Sequence, residues 1–322
     1  MRCARAARAN GKRGEADGSF RADRLKRMIL SEFLAENRKP VLLDGAMGTQ
    51  LAAAGLAMGG QTNLTHPEAV LAVHRQYVEA GAGLLITNTL TMNRIYIETH
   101  HPGLDVREVN LAGARLARAA AGEGRYVLGD ISSTGQMLQP YGDLSEEDAF
   151  KAFQEQAAIL AEGGVDGFIV ETMFSLAEAL CALRACRAAA DLPVIVCISF
   201  STVANGGRTI MGDSAQDCAL TLTGAGATAV GANCGDLDPF QTAEVVARMQ
   251  EAGSPLLIAQ PNAGKPKLVE GRTVFEMSPS DFAAGLYRCY QAGARLLGGC
   301  CGTSPQHIRA AAELLKKGEE EA

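Results

Sequence analysis

The sequence of 322 residues predicts an α/β fold, specifically a single (β/α)8 TIM barrel with an N-terminal extension. Short apolar runs alternate with longer amphipathic runs along the chain, as in repeated strand-then-helix units. Eight such units fit into about 280 residues, which is the usual size of this barrel. A doubly wound open sheet would need fewer strands and usually a Gly-x-Gly-x-x-Gly turn after the first. The turn at 44–49 contains glycines without that spacing.

The eight predicted strands consist largely of Val, Ile, Leu and Ala. This composition is expected for parallel strands that are buried on both faces. In chain order they are 41–44, 84–88, 126–131, 167–171, 194–200, 227–233, 256–260 and 295–299.

The predicted helices mostly begin at Ser, Asp or Pro and end near Gly. The first has Pro67 in its opening turn and ends at Gly81, which is the usual asymmetry of helix ends. In the third, Ser145 can act as an N-cap, and three acidic residues follow it at the positive end of the helix dipole. In chain order the helices are 67–80, 105–121, 145–162, 175–190, 214–224, 238–252, 280–292 and 304–316.

Residues 1–30 differ from the rest of the chain, because they hold nine Lys or Arg and three Asp or Glu. They contain no apolar stretch of the kind found in secretory signals. We expect a basic, poorly ordered extension at 1–30. A targeting peptide fits less well, because the acidic residues interrupt the basic pattern. No linker divides the remainder, so we expect one domain at 31–318.

Charge and hydropathy argue against two classes of partner. The formal net charge of −6 does not suggest binding to nucleic acid. No apolar run approaches the ~18 residues that a membrane span requires. The nine cysteines are odd in number and scattered, which indicates a reducing compartment, the cytoplasm. There, thiols serve metals, catalysis or packing.

Three of the cysteines follow predicted strands. Cys300 and Cys301 are adjacent in a glycine-rich segment, and Cys234 lies 66 positions upstream. Active sites of these barrels lie at the carboxyl ends of the strands. Catalytic zinc takes three protein ligands and leaves one position for a substrate. The sequence therefore predicts a three-sulfur zinc site with an open position.

The glycines around the cysteine pair support this interpretation. Successive side chains of a regular strand point to opposite faces, so two adjacent cysteines reach one metal only where the backbone turns. Gly298, Gly299 and Gly302 permit such a turn. Structural zinc fingers would instead show Cys-x-x-Cys pairs, which the sequence lacks. The cysteines at 181, 186, 197, 218 and 289 lie in apolar patterns and are assigned to packing.

The chemistry predicted for such a centre is alkyl transfer to sulfur. A metal that already carries three thiolates is suited to capturing a fourth thiol and displacing its proton. A free thiol has a pKa of about 8.5 and is mostly protonated at neutral pH, whereas a coordinated one stays nucleophilic.

Two carboxylates and one turn predict recognition of an amino acid. Asp44 and Glu171 both end predicted strands, so both belong to the same ring of strand ends and could hold an ammonium group. Backbone N–H groups in the turn 45–49, which begins with Gly45 and Ala46, could hold a carboxylate.

Six segments carry a resemblance to a known family. They are Leu43–Thr49, Thr87–Thr89, Glu171–Met173, Asn233–Gly235, Pro261–Pro266 and Gly298–Thr303. In these segments the chain resembles the homocysteine S-methyltransferase family, most closely the homocysteine-binding module of cobalamin-dependent methionine synthase. The resemblance covers roughly 31–317 and implies a (β/α)8 barrel.

The resemblance also implies roles for individual residues. Cys234, Cys300 and Cys301 would be the zinc ligands. Asp44 and Glu171 would meet the homocysteine amino group, and the turn at Gly45 and Ala46 would approach its carboxylate. Asn233 would be a pocket residue beside the metal. The activity implied is methyl transfer to homocysteine, which gives methionine.

Two positions depart from the family pattern. The family usually has an aromatic residue after Thr-Asn-Thr, where this chain has Leu90. The loop after the third strand usually reads Gly-Pro-Thr-Gly, and Ser132 and Ser133 replace its first two residues. Both lie where donor and acceptor should meet, so a methyltransferase acting on a different thiol stays an alternative.

The methyl donor is expected to come from outside the chain. The sequence has no Asp-x-His-x-x-Gly signature for a cobalamin-ligating histidine, and it ends soon after the last predicted helix. We expect a methyl-corrinoid on a separate protein, with methylcobalamin acting in trans. S-methylmethionine or another small donor is the alternative. A second alternative is a non-catalytic, zinc-binding partner of a corrinoid protein.

Overall fold

The protein is described by a computed structural model that covers residues 28–254, 256–269 and 272–320. The predicted extension 1–30 lies outside the described residues except for its last three. Eight parallel strands form one sheet, and helices surround it. The predicted (β/α)8 barrel is confirmed.

The barrel strands match the eight predicted apolar runs, although several are shorter. They are β1 (Val41–Leu42), β2 (Leu84–Ile86), β3 (Tyr126–Ile131), β4 (Gly167–Met173), β5 (Val194–Ile198), β6 (Ala229–Asn233), β7 (Leu257–Gln260) and β10 (Leu296–Leu297). Between β7 and β10 lies an antiparallel hairpin of β8 (Lys267–Val269) and β9 (Arg272–Val274). The sheet order is β1-β10-β7-β6-β5-β4-β3-β2, and a parallel bridge between Leu43 and Leu84 joins its two ends.

Twelve α-helices lie in the described part of the chain. They are α1 (Leu30–Glu36), α2 (Gly48–Ala53), α3 (Thr62–Thr65), α4 (Pro67–Ala80), α5 (Arg94–His100), α6 (Val106–Ala121), α7 (Glu146–Glu162), α8 (Leu176–Ala189), α9 (Ala215–Gly224), α10 (Pro239–Glu251), α11 (Pro279–Gln291) and α12 (Pro305–Glu320). Every predicted helix is present. The short helices α1, α2, α3 and α5 were not predicted, because four to seven residues are too few to show a helical period.

Side-chain caps fix where several helices begin. Ser145, Ser175 and Ser214 each accept a hydrogen bond from the backbone N–H three residues later, at the start of α7, α8 and α9. Asp238 does the same for α10 as part of a capping box with Gln241. These caps satisfy N–H groups that the helices leave unpaired.

Alternate strand residues point into the barrel and fill it. The inner cluster contains Leu43, Leu84, Leu128, Ile169, Ile195, Cys197, Ala229, Ile258 and Leu296. At the amino-terminal end, Leu30 and Leu34 of α1 pack into this same cluster with Val41 and Tyr126. Helix α1 therefore forms the floor of the barrel. The other strand face packs against the helices in a larger cluster.

None of the helices in the described segments has the length and hydropathy that a membrane span requires.

We predict that Gly231→Ala strongly destabilises the barrel. A Cβ at this position of β6 would lie 1.8 Å from the backbone oxygen of Ile258 on β7, so the two strands would have to separate. We expect a loss of roughly 3 kcal/mol in the free energy of unfolding, measured by urea denaturation.

The matched control is Gly224→Ala at the end of α9, where a Cβ would meet nothing within 4 Å. It should change stability by no more than about 1 kcal/mol and in the favourable direction. Equal stability of the two variants would contradict the close approach of β6 and β7.

Candidate metal and substrate site

The structure brings together the three sulfur atoms that the sequence analysis singled out. Cys234 follows β6, and Cys300 and Cys301 follow β10. The three Sγ atoms lie within 4.8 Å of one another, and those of Cys234 and Cys301 are 3.9 Å apart. Tetrahedral zinc with sulfur ligands at 2.3 Å needs sulfur atoms about 3.8 Å apart. The donor set and its spacing therefore fit a metal ion.

The end of β7 holds both cysteine loops. The N–H of Cys234 donates to the carbonyl of Gln260 at 3.2 Å, and the N–H of Cys300 donates to the carbonyl of Pro261 at 2.9 Å. The carbonyl of Cys301 accepts from the N–H of Ala263 at 2.9 Å. Because β7 lies between β6 and β10 in the barrel, one segment of backbone positions all three thiols.

Cys234 adopts an unusual backbone conformation. Its φ is 54°, in the left-handed region that residues other than glycine seldom occupy. Such a conformation persists only where the surrounding contacts impose it, and it is common at functional sites. Here it turns the chain directly after β6, so that the thiol approaches the pair from β10.

The cluster stabilises one thiolate. Hydrogen bonds from Cys234 and Cys300 lower the pKa of Cys301 to about 4. Hydrogen bonding with Cys234, followed by that with Cys301, raises the pKa of Cys300 well above its ordinary value. A metal ion bound to the cluster would displace the remaining thiol protons.

A cavity of about 390 Å³ opens beside the thiols at the carboxyl ends of the strands. This volume is in the range of small-molecule sites. Its wall includes the turn at 45–49 and the side chains of Leu90, Tyr96, Asp130, Glu171, Gln260, Cys300 and Cys301. None of the described residues in this wall is a Lys, Arg or His.

Two buried carboxylates, Asp130 and Glu171, face this cavity. Asp130 is 4% exposed and Glu171 is 7% exposed. Oδ1 of Asp130 accepts no hydrogen bond from an amide or hydroxyl group. Burial raises the pKa of Glu171 to about 7. Burial, followed by the charge of Glu171, raises the pKa of Asp130. A cationic ligand would relieve both effects.

Sequence reasoning missed Asp130. Its signal was present, because Asp130 is the one charged residue in an otherwise apolar strand. Strand alternation places it on the same face as Leu128, which belongs to the inner cluster. The prediction considered only the residues that end each strand, and Asp130 lies one position before the end of β3.

Asp44 is buried at the end of β1, directly before the turn at 45–49. It is 2% exposed and is not among the lining residues described above. Its Oδ2 accepts from the N–H of Ile86 at 3.0 Å and lies 3.9 Å from Nδ1 of the fully buried His74. Its Oδ1 accepts no hydrogen bond. Burial raises the pKa of Asp44 well above its ordinary value. Contact of Asp44 with a substrate stays a prediction.

Asn233 links the carboxylates to the thiols. Its Nδ2 donates to Oε2 of Glu171 at 3.0 Å and lies 3.8 Å from Sγ of Cys300. Its Oδ1 accepts from the N–H of Thr172, which has a φ of 58°. The side chain predicted to stand in the pocket thus connects the two halves of the site.

The turn that was predicted to approach a carboxylate is fastened to the cysteine loop. The N–H of Ala46 donates to Oγ1 of Thr303 at 2.9 Å. A Cβ on Gly45 would lie 2.6 Å from the same Oγ1, so only glycine fits there. Because the N–H of Ala46 is already engaged, a substrate carboxylate would have to use other N–H groups of the turn.

The two departures from the family pattern have structural explanations. Leu90 lies on the cavity wall and is 36% exposed, so an apolar side chain still lines the cavity where the family usually has an aromatic one. Ser132 donates its Oγ to the carbonyl of Glu171 at 2.7 Å. Ser133 donates to the carboxylate of Glu178. These two serines therefore fasten the loop after β3 to β4 and α8.

Comparison with known proteins places the chain among methyltransferases. The family model for homocysteine S-methyltransferase matches residues 41–315. Methionine synthase of Mycobacterium leprae is 30% identical over an alignment of 287 residues, and the match covers 83% of this chain and 23% of that protein. Methionine synthase of Mycobacterium tuberculosis is also 30% identical, over 83% of this chain and 24% of that protein. The chain spans about a quarter of the length of these curated relatives.

Solved structures agree with the fold. The homocysteine methyltransferase MmuM from Escherichia coli, in a crystal structure of its metallated form, superposes with a TM-score of 0.71 at 23% identity. The match covers 87% of this chain and 98% of that one. At this identity the likeness supports the barrel, whereas the family model covers most of the chain. The chain belongs to the homocysteine S-methyltransferase family.

Proposed function

We propose that this chain is a zinc-dependent methyltransferase that transfers a methyl group to the thiolate of L-homocysteine and so forms methionine. One observation carries the proposal: three thiols converge beside a cavity whose wall holds buried carboxylates and, among the described residues, no positive side chain. The thiols fit a thiol-binding metal, and the carboxylates fit an ammonium group. Homocysteine offers both groups on one short chain.

Cys234, Cys300 and Cys301 would hold the zinc ion. When bound, zinc supplies Lewis acidity that keeps a substrate thiol deprotonated at neutral pH. The residues around it have separate tasks. Asn233 orients Glu171 relative to Cys300 through its amide. The backbone of Gln260 and Pro261 keeps the cysteines in place.

Glu171 and Asp44, joined by Asp130 on the cavity wall, would bind the ammonium group of homocysteine. The turn at Gly45 and Ala46 would receive the carboxylate. With both polar ends fixed, the sulfur is directed toward the thiols and away from water. The substrate thiolate then bonds to the methyl carbon while the bond from that carbon to the donor breaks, and the electron pair of the broken bond stays with the donor.

We propose a methyl-corrinoid, carried by a protein, as the donor. The loops that follow β1, β2, β3, β4, β5 and β7, at the carboxyl ends of the strands, expose large apolar side chains: Met58, Leu90, Met137, Tyr141, Phe174, Ile210, Met211, Leu268 and Val269. Apolar side chains grouped on one face are typical of an interaction surface, and a small sulfonium donor would not need them.

We further propose that residues 31–318 act as one catalytic domain. Every residue assigned to the site lies on the barrel or on its loops. The described cysteines are all free, and the three in the cluster must stay reduced to hold a metal. We therefore place the reaction in the cytoplasm.

The proposal is tested by the choice of donor. Zinc-loaded protein and homocysteine are incubated separately with methylcobalamin, S-methylmethionine, betaine and methyl-folate, and methionine is measured. We expect methionine with methylcobalamin. If methionine forms only with S-methylmethionine, the proposed donor is wrong and the proposed function stands. Absence of product with every donor would support the non-catalytic alternative.

The metal assignment predicts that Cys300→Ala loses both zinc and turnover. Removal of one of three protein ligands should weaken zinc binding more than roughly 100-fold, because the remaining two thiols cannot complete the site. Zinc content is measured by elemental analysis after dialysis against a chelator.

Cys218→Ala is the matched control, since this cysteine is fully buried in α9 and was assigned to packing. It should keep zinc and activity. If Cys300→Ala retains stoichiometric zinc and full activity, the metal assignment is wrong.

The ammonium assignment predicts that Asp130→Asn weakens homocysteine binding. A hydrogen bond to a charged group contributes about 1.5–3 kcal/mol, so Kd should rise roughly 10- to 100-fold in calorimetry. The comparison ligand is 4-mercaptobutanoate, which is homocysteine without its amino group. Its Kd should change by less than about threefold, because it makes no ammonium contact. An equal loss for both ligands would indicate general disruption of the pocket and contradict the assignment.

A further inference from the structure

Thr303 joins the two loops that form opposite sides of the site. Its side chain is fully buried directly after the cysteine pair. Oγ1 of Thr303 donates to the carbonyl of Cys300 at 2.7 Å and accepts from the N–H of Ala46 at 2.9 Å. One hydroxyl group therefore connects a predicted zinc ligand to the turn predicted to meet the substrate carboxylate.

The backbone of Thr303 is held independently of this hydroxyl. Its carbonyl accepts from Nε2 of Gln50 at 2.9 Å and lies 3.3 Å from the hydroxyl of Tyr77. Tyr77 donates to the carbonyl of Ala46 at 2.8 Å. Gln50 of α2 and Tyr77 of α4 thus hold the backbone of Thr303, and its Oγ1 contacts both loops.

The surrounding packing leaves no free space. A Cβ on Gly45 would come within 2.6 Å of Oγ1 of Thr303, and so would a Cβ on Gly299. Both loops therefore contact the threonine side chain as closely as glycine allows. A displacement of the Cys300 loop would reach the Gly45 turn through direct contact as well as through hydrogen bonds.

We propose that Thr303 is a positioning residue that couples metal occupancy of the three-thiol site to binding of the amino-acid end of the substrate. This inference rests on the proposed function. Filling the metal site fixes the carbonyl of Cys300, and Oγ1 then holds the N–H of Ala46 and the turn in the conformation that receives the ligand. By linkage, the ligand must strengthen metal binding by the same factor.

The coupling is measured with a ligand that has no sulfur. 2-Aminobutanoate has the amino and carboxylate groups of homocysteine but cannot bind the metal through a thiol. Any direct effect of zinc on its amino or carboxylate group is shared by all Thr303 variants, so the part of the coupling that is lost with the hydroxyl must pass through the protein. We expect zinc loading to tighten its binding in the wild type by roughly 5- to 10-fold, within the usual range of coupling between sites.

Thr303→Val keeps the shape of the side chain and removes the hydroxyl. In this variant zinc should change the Kd of 2-aminobutanoate by less than about twofold, and the ligand should no longer affect zinc affinity in a chelator competition. Thr303→Ser is the matched control, because it keeps the hydroxyl and should keep the coupling. Thr303→Ala, which also lacks the hydroxyl, replaces the valine variant if that variant does not fold.

Three results would overturn the inference. One is a folded variant without the hydroxyl in which zinc still tightens the binding of 2-aminobutanoate as much as in the wild type. Another is binding of 2-aminobutanoate to the wild type with the same affinity in the presence and absence of zinc, which leaves the proposed function intact. Failure of 2-aminobutanoate to bind in either state would remove the substrate assignment as well.

Discussion

Two carbonyl groups at the end of β7 determine the geometry of the site. Gln260 and Pro261 accept hydrogen bonds from the N–H groups of Cys234 and Cys300, which belong to the loops on either side of β7. Neighbouring strands in a sheet are held about 4.8 Å apart. Because β6 and β10 are two such spacings apart, the turns after these strands must bring the sulfur atoms together, and the left-handed backbone of Cys234 contributes to this. A three-sulfur centre of this kind needs no local cysteine motif, because the sheet brings distant segments together.

Electrostatics give the site its preference for positive ligands. Thiols lie at one end and buried carboxylates at the other, and Asn233 connects them through hydrogen-bonding contacts. Without ligands the site binds protons, since burial raises the pKa of Glu171 to about 7 and also raises the pKa of Asp130. A divalent metal and an ammonium group would each replace protons at one end. The same arrangement leaves little use for an anionic ligand, except at the turn beside Gly45.

Much of the fold was predictable from the sequence, because a strand buried on both faces is a continuous apolar run that local composition reveals. The three cysteines were recognisable for a similar reason, since each follows such a run within a few residues. Other features depend on distant contacts. Leu34 is buried only because the amino-terminal end of the barrel offers apolar side chains to pack against. Asp44 ends its predicted strand as expected, but its burial depends on the packing around β1 and β2. Asp130 could have been identified only by tracing which side chains of β3 alternate into the barrel, because it lies one position before the end of the strand.

The floor formed by α1 determines the end of the barrel at which ligands can enter and leave. Leu30 and Leu34 close the amino-terminal end of the barrel with apolar packing, so the cavity opens at the opposite rim. A small acceptor would enter at that rim, where the apolar loops proposed to receive the donor also lie. A donor as large as the one proposed would cover this opening, so the acceptor would have to bind first. The product would then leave only after the donor had dissociated.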